Sequence, residues 1–139
     1  MSVIVTDTGF ATDDWDAGYT ALQDHPSDEA GRGLALDLPS DTDPVQLADK
    51  MHGVQMIRVD FPSFADGRGF TIAAQLRRLG YTGRLRARGH VIADQYAMAR
   101  RSGFDEVEIT EELATRQPEP QWLARADWQA HSYQTRLRG

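Results

Sequence analysis

Two stretches of the chain place glycine, arginine and aspartate where a strand should give way to a helix: Asp60-Phe-Pro-Ser-Phe-Ala-Asp-Gly-Arg-Gly-Phe-Thr71 and Leu85-Arg-Ala-Arg-Gly-His-Val-Ile-Ala-Asp-Gln95. In the first, Gly67 and Gly69 could present backbone N–H groups to an anion, while Arg68 adds a forked positive charge. Alternatively, the loop is a glycine turn pinned by Asp66, and Arg68 pairs with Asp66 or with Asp60. The candidates for binding an anion or a partner are therefore Asp66, Gly67, Arg68 and Gly69.

Three arginines, at positions 84, 86 and 88, alternate with apolar residues on one predicted strand. A central parallel strand is normally apolar, and an arginine is costly to bury without a partner. We therefore expect Arg86 or Arg88 to meet an aspartate such as Asp60, a bound anion, or solvent. A structural pair is the better interpretation for Arg86, and a ligand contact suits Arg88, which lies nearer the end of the strand.

His90 and Asp94 are the candidates for catalysis. They are four residues apart at the predicted start of a helix, so both side chains can lie on one face. As a pair, the carboxylate could orient the imidazole for proton transfer. The alternative, which we favour, is a pair at the helix start without chemistry. The other histidines stand in unrelated contexts, and we predict no metal site.

Composition excludes several classes of site. The sequence contains no cysteine, which excludes disulfides, cysteine-based zinc sites, a thiol nucleophile and an iron–sulfur cluster ligated by these residues. Gly67-Arg-Gly69 lacks the third glycine of a dinucleotide fingerprint, and no serine lies in a nucleophile elbow. We predict no cofactor, and the sequence leaves open whether the protein is an enzyme.

Charge is distributed unevenly along the chain. Residues 1–49 hold eleven acidic residues and one arginine, a balance of -10, so the total of -6 leaves +4 for residues 50–139. Internal charge compensation explains this pattern, and a basic patch for an anion is the alternative. With no nucleic-acid-binding motif, no signal peptide and no long apolar run, we expect a cytoplasmic protein that binds neither nucleic acid nor membrane.

Three amphipathic segments end at a glycine, at positions 53, 80 and 103, and each is followed by an apolar residue and a short strand-like run. This pattern is typical of a helix closed by a left-handed glycine before a strand. It predicts an α/β fold, a single domain with a mostly parallel sheet of four to five strands and alternating helices; a partial-barrel-like βα arrangement is the alternative. The carboxyl ends of parallel strands share one edge, where we expect the two stretches to meet.

We expect three parts along the chain: an N-terminal strand or arm with a loop-rich connection (1–33), the α/β core (34–117) and an aromatic C-terminal tail (118–139). Within the first part, residues 3–6 are a candidate strand and residues 11–32 look loop-rich or partly helical. A short helix should run from Thr110 to near Pro118. The aromatic tail should pack on the same domain, since large aromatic side chains tend to be buried.

Four motifs resemble a bacterial family of unknown function (domain of unknown function 934), commonly labelled an oxidoreductase involved in sulfite reduction. They are Phe64-Ala-Asp-Gly-Arg-Gly-Phe-Thr71, Leu85-Arg-Ala-Arg-Gly89, Ala93-Asp-Gln95 and Arg101-Ser-Gly-Phe-Asp105. The resemblance covers about Leu34 to Ile109. The motif positions that it singles out are Asp66, Gly67, Arg68, Gly69, Arg86, Asp94 and Gln95.

The resemblance implies a place in sulfur assimilation and cysteine supply. We expect an accessory protein of assimilatory sulfite reduction that assists sulfite reductase, its electron supply or its assembly, while siroheme and the iron–sulfur cluster belong to the reductase. The alternative is a small enzyme or binding domain that holds an anionic sulfur metabolite through Arg68 and Arg88 at the strand carboxyl ends. Oligomeric state cannot be read from the sequence.

Overall fold

Seven strands form the centre of the fold. A computed structural model describes residues 2–21, 35–51 and 53–129. The strands are β1 (Ser2–Thr6), β2 (Gly9–Thr12), β3 (Thr20–Ala21), β4 (Ala35–Leu38), β5 (Met56–Phe61), β6 (Arg84–Gly89) and β7 (Glu106–Thr110). They make one sheet in the order β2-β1-β7-β6-β5-β4-β3.

The sheet is mixed and mostly parallel. Strands β3 to β7 are mutually parallel, whereas β1 runs antiparallel to both β7 and β2. The α/β class and the mostly parallel sheet agree with the sequence prediction, but seven strands exceed the predicted four to five. The candidate strand at residues 3–6 is β1, so the strands beyond the predicted set are β2, which forms a hairpin with β1, and the two-residue strand β3 at the other edge. Such short strands carry little periodic signal in a sequence.

Consecutive parallel strands are neighbours, as the partial-barrel alternative also required. Within the described residues, however, β2 and β3 are the two edges and the sheet is open. The segment 13–19 contains no helix, and β3 follows it. The remainder of the predicted loop-rich connection, residues 22–34, lies outside the described residues.

Among the described residues, two short 3-10 helices and four α-helices accompany the strands. A 3-10 helix at Pro44–Leu47 lies between β4 and β5, α1 (Arg68–Arg78) lies between β5 and β6, and a 3-10 helix at Ala93–Gln95 leads into α2 (Tyr96–Ser102) between β6 and β7. Two further helices, α3 (Glu111–Arg116) and α4 (Glu119–Leu123), follow β7. Asp43 caps the first 3-10 helix by accepting a hydrogen bond from Val45 N at 3.1 Å. Thr110 caps α3 in the same way at Leu113 N. None of the described helices is long and apolar enough to cross a bilayer.

The sequence analysis does not predict α4, because it ends the last helix near Pro118. Pro118 instead occupies the N-cap of α4, and Pro120 lies in the first turn of that helix. Proline is tolerated at these positions because the first backbone N–H groups of a helix have no acceptor within the helix. The helix carries Trp122, which is 1% exposed and belongs to the hydrophobic core.

The glycines predicted to close helical segments have positive φ: +80° at Gly53, +100° at Gly80 and +117° at Gly103. Gly80 and Gly103 follow α1 and α2, whereas the helix predicted to end at Gly53 is a 3-10 helix that ends at Leu47 and is followed by a turn at 48–50. After Gly80, the backbone N–H of Tyr81 donates to the carbonyl of Leu76 at 3.0 Å. This hydrogen bond is the 6→1 closure of a Schellman motif, and it returns the chain toward the next strand.

Candidate functional site at the carboxyl edge of the sheet

The two faces of the sheet differ in chemistry. One face contributes apolar residues such as Leu85, Ala87 and Val107 to the core that packs against the helices. Because successive strand residues point to opposite faces, the alternate positions on β4 to β7 lie on the other face. They form two rows across the strands, one of Asp37, Arg58, Arg86 and Glu106 and one of Asp60, Arg88 and Glu108.

Arg86 is the centre of this charged layer. Its side chain is 0% exposed, and it donates from Nε to Glu106 at 2.5 Å and from Nη1 to Glu108 at 2.9 Å and to Asp13 at 3.0 Å. Burial opposes the charged form most strongly, but Glu106, Tyr19 and Asp13 together outweigh it and raise the pKa of the guanidinium, so Arg86 stays charged. A structural pair therefore accounts for Arg86, whose partners are the glutamates of β7 and Asp13 and not Asp60.

Register explains the change of partner. Arg86 is aligned with Glu106 on β7, whereas Asp60 is aligned with Arg88. Residues aligned on neighbouring strands are the closest pairs on one face of a sheet. The sequence signal that could have identified the partners is the alternation of Glu106 and Glu108 in the strand that follows Arg86 and Arg88.

Arg88 is held more loosely than Arg86. Its guanidinium lies 3.6 Å from Asp60 Oδ1 and 3.4 Å from Glu108 Oε2, and its side chain is 47% exposed. The charge is therefore partly compensated but open to solvent. A ligand contact of Arg88 remains a prediction.

Two further residues lie on the charged face of the sheet and were not predicted from the sequence, Arg58 and Tyr19. Arg58 makes a forked contact with Asp37 at 3.1 and 2.7 Å, and its guanidinium carbon lies 3.6 Å from the centre of the Tyr19 ring. The hydroxyl of Tyr19 accepts a hydrogen bond from Arg86 Nη1 at 3.1 Å. The N-terminal segment thus covers part of the charged face.

In the loop before α1, Arg68 is paired with Asp66. Its Nε and Nη2 contact the two carboxylate oxygens at 3.0 and 2.7 Å, and Nη2 also donates to Ser40 at 2.8 Å. The hydrogen bond from the Arg68 side chain, joined by one from its backbone N–H, lowers the pKa of Asp66 to about 2. These contacts correspond to the interpretation in which Arg68 pairs with Asp66 and stabilises the turn. They do not form a preformed anion site.

The two glycines of this loop have different roles. A Cβ at Gly69 would lie 2.4 Å from the Phe61 ring, so the missing side chain lets α1 approach β5. A Cβ at Gly67 would meet only Phe70 at 3.8 Å, and the φ of Gly67 is -90°. Packing therefore accounts for Gly69, and nothing in the structure requires glycine at position 67.

Gln95 connects the two motif-bearing stretches. Its Oε1 accepts from Ile92 N at 3.0 Å, and its Nε2 donates to the carbonyl of Phe64 at 3.0 Å. The side chain thereby fixes the start of the helix after β6 to the loop after β5. Its role in this structure is to hold the carboxyl edge together.

His90 and Asp94 do not form a pair. His90 Nδ1 lies 3.2 Å from the carbonyl oxygen of Phe61, whereas Asp94 accepts from Arg125 at 2.8 Å. The predicted pairing assumed helical geometry from position 90, but the 3-10 helix begins at Ala93. The four-residue spacing therefore does not bring the two side chains onto one helix face.

Among the cavities that the described residues border, two lie at the carboxyl edge. One of about 350 Å³ is bordered by Ser40, Asp41 and Arg68, and one of about 190 Å³ is bordered by Phe64, Gly89, His90 and residues of α3. A larger depression of about 920 Å³ lies at the opposite edge, between the loops 53–55 and 80–84. Its walls are largely the turns that close helical segments, and its arginine, Arg84, is paired with Glu106. We therefore place the candidate site at the carboxyl edge.

Comparison with known proteins identifies a family but no individual relative. Neither the curated proteins nor the solved structures gave a match to this chain. A family model, described as a bacterial protein of unknown function (DUF934), matches residues 35–139. This range contains the candidate residues from Asp66 to Gln95, and the chain belongs to the DUF934 family.

Proposed function

We propose that this protein is a cytoplasmic accessory protein of assimilatory sulfite reduction, which binds sulfite reductase or its electron donor through the carboxyl edge of the sheet. The pathway assignment rests on the resemblance carried by the motifs at 64–71, 85–89, 93–95 and 101–105. Membership of the DUF934 family is compatible with it and names no reaction.

The observation that carries the choice of an accessory role is the mutual compensation of charges at this edge. Arg68 is engaged by Asp66, and Arg86 by Glu106 and Glu108. A small anion would have to compete with these carboxylates for the guanidinium groups, which weakens the case for a dedicated anion pocket. A protein surface can instead form contacts around existing pairs, since the rims of interfaces are polar and solvated.

One observation favours a second function, the binding of an anionic sulfur metabolite. Among the described residues, the carboxylate nearest to the Arg88 guanidinium is that of Glu108 at 3.4 Å, and the Arg88 side chain is 47% exposed. It could add a ligand contact without losing a short ion pair. The pairing of Arg68 leaves Arg88 as the better of the two arginines proposed for this role.

The test is a pull-down of the tagged protein from sulfate-grown cells of its own source. The wild type is compared with Arg88→Ala and with Arg78→Ala, the same type of change at the carboxyl end of α1, after circular dichroism has shown that all three are folded. Recovery of sulfite reductase or its electron donor by the wild type and by Arg78→Ala, with loss in Arg88→Ala, would support the accessory role at this edge.

A parallel titration addresses the second function. Saturable binding of sulfite or sulfate by the wild type, abolished by Arg88→Ala, would favour the metabolite site. Failure to recover any component of sulfite reduction, even after mild crosslinking, would contradict the accessory role.

A further inference from the structure

The turn at Gly89 has a conformation that helix closure does not explain. Gly89 is the last residue of β6, its φ is +114°, and a Cβ there would lie 2.7 Å from the carbonyl oxygen of Phe61. Gly80 and Gly103, in contrast, follow helices. Conformations that other residues adopt only with strain are often found at functional sites. The residues that this turn holds in place are therefore candidates for a functional role.

The turn places His90 against the end of the neighbouring strand. The backbone N–H of His90 donates to the Phe61 carbonyl at 2.9 Å, and the ring nitrogen Nδ1 lies 3.2 Å from the same oxygen. A carbonyl oxygen can only accept, so Nδ1 carries the proton in this contact. In the neutral imidazole, Nε2 is then an acceptor.

The imidazole is also fixed by an aromatic neighbour. The rings of His90 and Phe64 are 5.1 Å apart at 87°, an edge-to-face arrangement. Gln95 holds the backbone of Phe64 in place through the Phe64 carbonyl. The ring that presents Nε2 is therefore held on two sides.

Beside His90 lies the cavity of about 190 Å³. Its walls include Phe64, Gly89 and Leu113, and the exposed pair of Glu112 and Arg116 lies at its rim. A dry apolar cavity of about 150 Å³ can hold benzene, whereas pockets for drug-sized ligands begin at about 300 Å³. The cavity therefore has room for one aromatic ring.

We propose that this cavity, the His90 pocket, receives a tyrosine side chain of a protein partner. The ring would pack between Phe64 and Leu113, and its O–H would donate to His90 Nε2. A single ring offers few atoms for binding, so high affinity requires contacts beyond the pocket. The rim of the pocket can supply these contacts. Phe64 is 44% exposed, Glu112 is negatively charged and Arg116 is positively charged.

An aromatic anchor in a pocket surrounded by polar groups is the usual arrangement of an interface hot spot. The identity of the partner rests on the function proposed above, whereas the chemistry of the pocket does not. The two parts can therefore be tested separately.

The first experiment uses 4-methylphenol, the side chain of tyrosine as a free molecule, and toluene, which lacks the hydroxyl. Imidazole resonances of His90 are followed by NMR in the wild type. We expect saturable, millimolar binding of 4-methylphenol and roughly two- to tenfold weaker binding of toluene, the loss of one net hydrogen bond. Leu113→Trp should fill the pocket and abolish binding, and Leu123→Trp, on the exposed surface of α4, should not. Absence of saturable shifts at His90 in the wild type would overturn the proposal.

The second experiment repeats the pull-down with folded Leu113→Trp and Leu123→Trp. Loss of reductase or donor capture in Leu113→Trp alone would support a side chain of the partner as the occupant. If Leu113→Trp captures the reductase or donor as well as the wild type does, a side chain of this partner does not occupy the pocket, even if 4-methylphenol binds there. If the wild type captures no component of sulfite reduction, the proposed function fails, while binding of 4-methylphenol would still support the chemistry of the pocket.

Discussion

Arg86 and Glu106 lie side by side on neighbouring parallel strands, with Arg86 Nε 2.5 Å from Glu106 Oε2. Both side chains are buried, at 0% and 9% exposure, on the face of the sheet opposite the helices. Glu108 on the same strand contacts Arg86 and Arg58, so one guanidinium at the centre of the sheet holds two buried carboxylates. Removing this charge would leave Glu106 with Arg84 and Glu108 with Arg58 and Arg88, whose side chains are 34%, 13% and 47% exposed and therefore more solvated than Arg86.

Arg86→Ala should therefore lower the free energy of unfolding by about 3–5 kcal/mol, the range for breaking a buried ion pair. The measurement is urea denaturation followed by circular dichroism. Arg88→Ala is the matched control on the same strand and face; because its side chain is 47% exposed, its loss should cost no more than about 1 kcal/mol. Equal costs for the two variants would contradict the central role of Arg86.

The loop glycines offer a second matched pair. Gly69→Ala places a Cβ against the Phe61 ring in the core and should destabilise the protein by about 1–3 kcal/mol, as overpacking does. Gly67→Ala places a Cβ at the start of α1 in ordinary contact with Phe70, at 3.8 Å, and should cost less than about 1 kcal/mol. Thermal unfolding of both variants checks this order, and the reverse order would show that the loop is held differently.

How far the sequence predicts the site differs from residue to residue. The need of Arg86 for a partner could be predicted, because burying an unpaired charge is costly in any fold. Which residue becomes the partner depends on the register between β6 and β7. The two aligned residues, Arg86 and Glu106, are twenty positions apart in the chain. Alternating charges on two successive predicted strands are a signal for such a pair.

Local geometry limited the prediction for His90. The proposed pair with Asp94 assumed that helical spacing begins at position 90, whereas Gly89 turns the chain and the helix begins three residues later. Residues 90–92 are too few for sequence patterns to separate a turn from a first helical turn. The parallel strands after Gly53, Gly80 and Gly103 were predictable because each glycine ends a segment with a clear apolar face.

The third prediction concerns two tryptophans of the C-terminal segment that begins at residue 118. Trp122→Ala removes a side chain that is 1% exposed and whose Nε1 donates to the Gln117 carbonyl at 2.8 Å, and it should cost about 3–5 kcal/mol. Trp128→Ala removes a partly buried ring that stacks with Arg100 at 4.8 Å and should cost about 1 kcal/mol. Chemical denaturation of both variants tests the difference. Similar, small costs would show that α4 is not part of the stable core.

The last prediction concerns Asp66, whose pKa is about 2 against an ordinary value of 3.8. Because the pKa is lower in the folded state, the Arg68 pair stabilises the protein above the ordinary value and loses this contribution as the pH falls toward 2. NMR titration of the Asp66 carboxyl should give a pKa near 2 in the wild type and a value closer to 3.8 in Arg68→Ala. Ser40→Ala is the control, because the Ser40 hydroxyl makes the smallest contribution to the low pKa of Asp66, and this variant should keep the pKa well below 3.8. A pKa that stays near 2 in Arg68→Ala would assign the shift to the hydrogen bond that Asp66 accepts from the backbone N–H of residue 68.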